Sequence, residues 1–165
     1  MKLWSYETLA VIIDTEGCIG IAKSQQKDRS APSYFAFMRV GMTTPPFIHN
    51  LQENFGGRIY VSKKRNGNRL PLYSWSVSRK VELRGLLRCI EPHLILKRTQ
   101  AIVALMMLSL DSKKHVVVRA EMHRLMAMLN SGVPALVKIG KDQLWGGDYV
   151  NDKLFESSKR TPVSC

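Results

Sequence analysis

Residues Leu9 to Gly17 read LAVIIDTEG: an apolar run that meets two carboxylates, Asp14 and Glu16, and then a glycine. Ser5 suits an N-cap, and Tyr6 to Thr15 reads as a helix closed by Gly17 at its C′ position. Leu9, Ala10, Ile12 and Ile13 cover more than one helix face, so this helix must be buried on several sides. Cys18 to Ser24 follows at once with period-two alternation, which predicts a strand with Ile19 and Ile21 inward. A helix buried on several sides that runs straight into a strand narrows the choice of fold. The chain needs a sheet beneath the helix and further elements around it.

The rest of the chain supplies them. Gln25 to Pro32 is a polar turn, and Ser33 to Gly41 is a second strand. Pro45-Pro46 opens a helix with Phe47, Ile48, Leu51 and Phe55 at helical spacing, ended by Gly56-Gly57. Arg58 to Lys64 and Leu70 to Ser78 make two strands around Arg65-Asn66-Gly67-Asn68, a strong hairpin signal. Val81, Leu83, Leu86, Leu87 and Ile90 mark a helix stopped near Pro92. Two more helices run from about Leu96 to Leu110 and from His115 to Asn130. The order αββαββα, then further C-terminal helices, predicts an α+β fold with an antiparallel sheet and its helices packed on one face. Residues 1–130 are expected to form the domain, and 131–165 an extension to which no role attaches. Alternation gives the open sheet face Gly20, Ala22, Ser24 and Gln26, then Phe35, Phe37 and Arg39, then Arg58, Tyr60, Ser62 and Lys64, then Leu72, Ser74 and Ser76.

Charge narrows the partner. Of 25 basic and 13 acidic residues, 15 basic and 4 acidic lie between Gly20 and Arg98, which leaves the remainder near balance. A basic half on a compact domain suggests nucleic acid. Membrane-surface binding fits less well, because the basic residues lie among strand-like segments and not on one amphipathic helix. No apolar run reaches membrane-span length, and the N-terminus lacks a signal-peptide pattern, so the expectation is a soluble, intracellular protein. Cys18, Cys89 and Cys165 are odd in number and far apart, which suggests a reducing compartment and neither a disulfide framework nor a zinc site.

Asp14 and Glu16 are two residues apart, so they do not face each other on a helix. Both sit at the negative end of the macrodipole, where a carboxylate is disfavoured by ~0.3–1 kcal/mol. The nearest basic residue along the chain is Lys23. Two readings stay open from physics alone. Either the acids bond locally and face water, or a hard cation such as Mg²⁺ supplies the missing charge.

LAVIIDTEG resembles the LAGLIDADG motif of homing endonucleases, seven of its nine positions being identical or conservatively replaced. The strand that follows at once, the helix ending in Phe55-Gly56-Gly57, the segment Pro92-His93-Leu94-Ile95-Leu96-Lys97-Arg98 and the αββαββα order also match. The resemblance spans about Leu3 to Asn130. It implies a curved sheet that forms a saddle over the DNA major groove. It implies a Mg²⁺-dependent double-strand break in a long, pseudo-palindromic site, with two or three ions shared between subunits. Carried over, Glu16 and the backbone carbonyl of Thr15 face the metal, Lys97 stabilises charge at the scissile phosphate, and Thr43 is the candidate for orienting water. One motif copy implies a homodimer, with Leu9, Ala10, Ile13 and Asp14 at the helix seam. Ser24, Gln26, Arg39, Arg58, Tyr60, Ser62, Lys64, Arg65, Arg69, Ser74 and Ser76 are the expected DNA-binding residues. Val11 departs from the motif, whose third position is usually glycine, and should space the paired helices or shift their register. The same fold and basic surface also suit an RNA-binding maturase that assists intron splicing, or a non-catalytic DNA-binding protein. The four histidines are scattered and read as structural or surface residues.

Overall fold

The computed structural model describes residues 4–25, 32–62, 70–112 and 114–131. The chain divides into two units, Met1–Ser131 and Gly132–Cys165, and every element below lies in the first. The described elements are, in order, α1 (Tyr6–Glu16), β1 (Gly17–Ser24), β2 (Ser33–Met42), α2 (Pro45–Phe55), β3 (Arg58–Val61), β4 (Tyr73–Val77), α3 (Lys80–Ile90), a 3-10 turn (Glu91–His93), α4 (Arg98–Ser109) and α5 (Val116–Asn130). The four strands form one antiparallel sheet in the order β1-β2-β4-β3. The fold is α+β with the predicted order of elements.

Alternation sorts each strand between two surfaces. Ile19, Ile21, Ala36, Met38, Val40, Trp75 and Val77 are buried, and they share the core with Leu9, Ile13, Ile48, Leu51, Leu83, Leu87 and Ile90. Their alternates Phe35, Arg39, Arg58 and Tyr60 are exposed. The inward series fades at one end, where Tyr73 is half-buried and Val61 exposed. Trp75 is anchored by its indole N–H, which donates to the Gly56 carbonyl at 2.7 Å. Gly56 and Gly57 both have positive φ, so this turn needs residues without Cβ.

Two details differ from expectation for physical reasons. Gly17 does not close α1 in a left-handed conformation: at φ −93° and ψ 172° it is extended and begins β1. Glycine is needed there for space, because a Cβ would lie 2.7 Å from the Ile13 Cα. The second hairpin's strands are shorter than predicted. Beyond Val61 the Ser62 amide still donates to the Leu72 carbonyl at 2.9 Å, but the Leu72 amide bonds the Ser62 hydroxyl at 3.1 Å. A side chain there replaces the next backbone rung.

α5 is tied to the sheet near both ends. The Arg119 side chain is buried and donates to the carbonyls of Tyr34, Met107 and Leu110. Burial pulls its pKa below the usual guanidinium range, while Asp111 opposes that shift. At the other end the Asn130 amide donates to the Ile19 carbonyl at 3.0 Å. No described helix is long and apolar enough to cross a membrane.

Candidate active site and nucleic-acid face

Helix α1 begins at Ser5, whose hydroxyl accepts from the Thr8 amide at 3.3 Å, and delivers its two acids to different surroundings. Asp14 is buried. Its carboxylate accepts from the Ile95 amide at 2.6 Å and from the Lys97 amide at 2.8 Å. The Lys97 ammonium turns back and donates to the Ile13 carbonyl at 2.9 Å and the Asp14 carbonyl at 2.5 Å. The positive charge absent from the local sequence therefore arrives from 83 residues away and caps the negative end of the helix. Lys97 is also the N-cap residue of α4, so this knot ties α1, the loop after the 3-10 turn and α4 together.

Glu16 is exposed, and no hydrogen bond or ion pair engages its carboxylate among the described residues. The Thr15 hydroxyl donates back to the Val11 carbonyl at 2.9 Å, so its side chain is committed within the helix. Thr43 is exposed just past β2. Because Val40 pairs with Gly17, the end of β2 runs on past the start of β1, and Thr43 lies at the same end of the sheet as Glu16.

Glu16 and the Thr15 carbonyl are the hard oxygen donors that a small divalent cation takes. No cluster of three or more His, Cys, Asp or Glu is present among the described residues. One chain thus offers at most a partial shell; to hold Mg²⁺, Glu16 and the Thr15 carbonyl would need waters, phosphate oxygens or a second copy to complete an octahedron.

Pairing across the sheet aligns Cys18, Arg39, Ser76 and Arg58 in one row and Gly41, Ser74 and Tyr60 in the next. The Arg39 guanidinium lies over the Phe37 ring, 5.2 Å from its centroid. Ser24 and Ser74 are half-buried, while Ser76 is only 7% exposed. Ser62 is exposed but its hydroxyl is used by the hairpin. Gln26, Lys64, Arg65 and Arg69 lie outside the described residues.

The expected seam residues look inward. Leu9, Ala10 and Ile13 have no exposed surface, and the Asp14 carboxylate is bonded within the chain. They pack α1 onto β1, β2, α3 and the 3-10 turn, so they are core residues of the single chain. The outward stripe of α1 is Thr8, Val11, half-buried Ile12 and Thr15, at spacings of three and four. Val11 is 62% exposed, and on the loop held by Asp14, Ile95 is 85% and Leu96 71% exposed. The general rule that a helix buried on several sides is core accounts for Leu9, Ala10 and Ile13. The exposed stripe was legible in the same spacing once Val11 is counted as a surface position.

This fold, an α+β domain whose first helix ends in acids beside an antiparallel sheet, is that of the LAGLIDADG homing endonucleases. Among solved structures, the chain is similar to the homing endonuclease I-CvuI in complex with the I-CreI target, at 22% identity and a TM-score of 0.65, covering 77% of this chain and 82% of that one. It is similar to the archaeal intron-encoded homing endonuclease I-Vdi141I complexed with DNA, at 16% identity and a TM-score of 0.62, covering 75% and 82%. It is also similar to the LAGLIDADG homing endonuclease I-SmaMI bound to cleaved DNA, at 19% identity and a TM-score of 0.58, covering 76% of this chain but 43% of that one. No family model and no curated protein matches the sequence.

Proposed function

We propose that the chain is a homing endonuclease of the LAGLIDADG type. As a homodimer it binds a long, roughly palindromic DNA site and hydrolyses one phosphodiester in each strand with Mg²⁺. The observation that carries this reading is the separation of the two acids. Asp14 is consumed by the fold, whereas Glu16 is exposed and unbonded two residues past the last helix carbonyl that the Lys97 ammonium caps, at one end of a sheet with a basic and aromatic open face. The three solved structures named above share this fold and are homing endonucleases bound to DNA.

Glu16 and the Thr15 carbonyl would hold the ion, which when bound supplies an activated water and stabilises the attacking and leaving oxygens. Lys97 has three N–H donors, and two are used on the helix carbonyls. The third remains for a phosphate oxygen, so one residue both fixes the helix end and adds positive charge where charge develops. Thr43 lies at the same sheet end and is the candidate for orienting water. Two copies of α1, meeting through Thr8, Val11, Ile12 and Thr15, bring two Glu16 residues together so that each chain serves one strand.

The decisive experiment incubates wild type and Glu16→Gln with a library of duplex sites and Mg²⁺, then sequences the cut ends and measures binding by gel shift. Wild type is expected to cut both strands at related positions. Glu16→Gln is expected to bind the same sites without cutting them. Wild-type cleavage rates in Glu16→Gln would overturn the metal assignment.

A further inference from the structure

Gly20 belongs to the open side of the sheet, yet it is buried. Its partner across β1 and β2 is Phe37. The Phe37 ring lies where a Gly20 side chain would be, since a Cβ there would sit 2.6 Å from the ring Cζ and 2.8 Å from Cε1. A ring laid over a cross-strand glycine restores the contacts that the missing side chain gives up, and it fixes where the ring is. Two residues further along β2, the Arg39 guanidinium stands over this ring at 5.2 Å from its centroid, within the range of a cation–π contact. Arg39 is exposed, and its guanidinium makes no hydrogen bond or ion pair among the described residues. Its row across the sheet, Cys18, Arg39, Ser76 and Arg58, holds no acid. The donors of the guanidinium therefore stay open while its flat face is held by the ring.

We propose that Phe37, seated on Gly20, is a positioning residue that presets Arg39, and that Arg39 so held selects a guanine in each half of the DNA site. The second clause rests on the DNA-binding function proposed above. β2 is an inner strand, between β1 and β4, so Arg39 stands away from the sheet edges. In the major groove, guanine offers N7 and O6 together to one guanidinium. An unsupported arginine must be ordered as it binds, and a side chain already stacked on a ring gives up less freedom. Three neighbouring residues thus have linked tasks: Gly20 makes room, Phe37 orders, and Arg39 meets the base.

The test has two arms. In the first, NMR spectra of the free protein report the ring current of Phe37 on the Arg39 side chain. The Arg39 side-chain protons are expected upfield in wild type and in Phe37→Tyr, and at ordinary positions in Phe37→Leu. Gly20→Ala is expected to lose most of the upfield shift, because the new methyl displaces the ring while Phe37 and Arg39 are both still present. Ordinary Arg39 positions in folded wild type overturn the platform. In the second, sites bound from a duplex library are sequenced, and the selected guanine is replaced by 7-deazaguanine, which lacks the N7 acceptor. Wild type is expected to require guanine at one pair of symmetric positions and to lose about fivefold or more in affinity on the 7-deaza duplex. Arg39→Ala is expected to accept any base there and to ignore the 7-deaza change. Phe37→Leu is expected to lose about two- to fivefold of the guanine preference, and Phe37→Tyr to keep it. A preference unchanged in folded Phe37→Leu overturns the positioning role. No guanine preference in wild type, or one unchanged in Arg39→Ala, overturns the base assignment. Should wild type bind no duplex at all, the DNA reading falls and the guanine with it, while the first arm still judges the platform.

Discussion

At the residue scale, two carboxylates that look alike in the sequence do different work. Replacing Asp14 by Asn leaves one acceptor oxygen where two amides converge at 2.6 and 2.8 Å. Buried charge-assisted hydrogen bonds are worth about 1.5–3 kcal/mol each, so Asp14→Asn is expected to lose about 1–3 kcal/mol in urea denaturation. Glu16→Gln, at an exposed and unbonded position, is expected to stay within about 0.5 kcal/mol of wild type. Lys97→Met separates a capping role from a purely chemical one. Removing the ammonium leaves the Ile13 and Asp14 carbonyls without it, for a loss of about 1–3 kcal/mol together with loss of cleavage. A lysine that served only the substrate would melt unchanged when replaced. The motif itself was legible because its residue types are confined to nine consecutive positions. The knot around Asp14 was not, because the sequence shows only near neighbours and the relieving cation comes from the far side of the domain.

At the scale of elements, helices and hairpin pairs could be read because each has its own hydrophobic period. Their junctions could not, since those are settled by contacts. Gly17 illustrates the difference: a glycine after a helix suggests a left-handed cap, but here the chain is extended and the restriction is the backbone and side chain of Ile13. Gly17→Ala is expected to destabilise by about 1–3 kcal/mol through overpacking, with no gain from stiffening the unfolded chain able to offset it. The same reasoning applies to α5. Its Met-rich stretch, Met122 to Met128, reads as core; Met122 and Met126 are buried but Met128 is 45% exposed, and the helix's attachment depends on Arg119, whose partner carbonyls lie on β2, at the end of α4 and just beyond it. Arg119→Leu keeps the aliphatic bulk and strands those acceptors. It is expected to cost about 2–3 kcal/mol and to raise hydrogen exchange across α5 before the sheet opens.

At the scale of the whole molecule, the proposed dimer turns on Val11. A valine 62% exposed on a helix whose other aliphatic side chains are largely buried sits where a glycine would let two copies approach most closely. In the proposed dimer a β-branched side chain would hold the helix axes farther apart and so set the separation of the two Glu16 carboxylates. Val11→Arg places like charges against each other across a two-fold axis while leaving the core of each chain intact. Sedimentation at micromolar concentration is expected to show wild type as a dimer and Val11→Arg as a monomer. Its intrinsic stability should change by no more than about 0.5 kcal/mol, once the concentration dependence of the wild-type transition is taken into account. The monomer is also expected to lose double-strand cleavage, because each chain brings only Glu16 to the proposed cation site and the described residues hold no cluster of three or more His, Cys, Asp or Glu. A Val11→Arg protein that stays dimeric puts the seam on another surface. With the seam elsewhere, α1 no longer brings two Glu16 residues together, and the two-chain metal site loses its geometric basis.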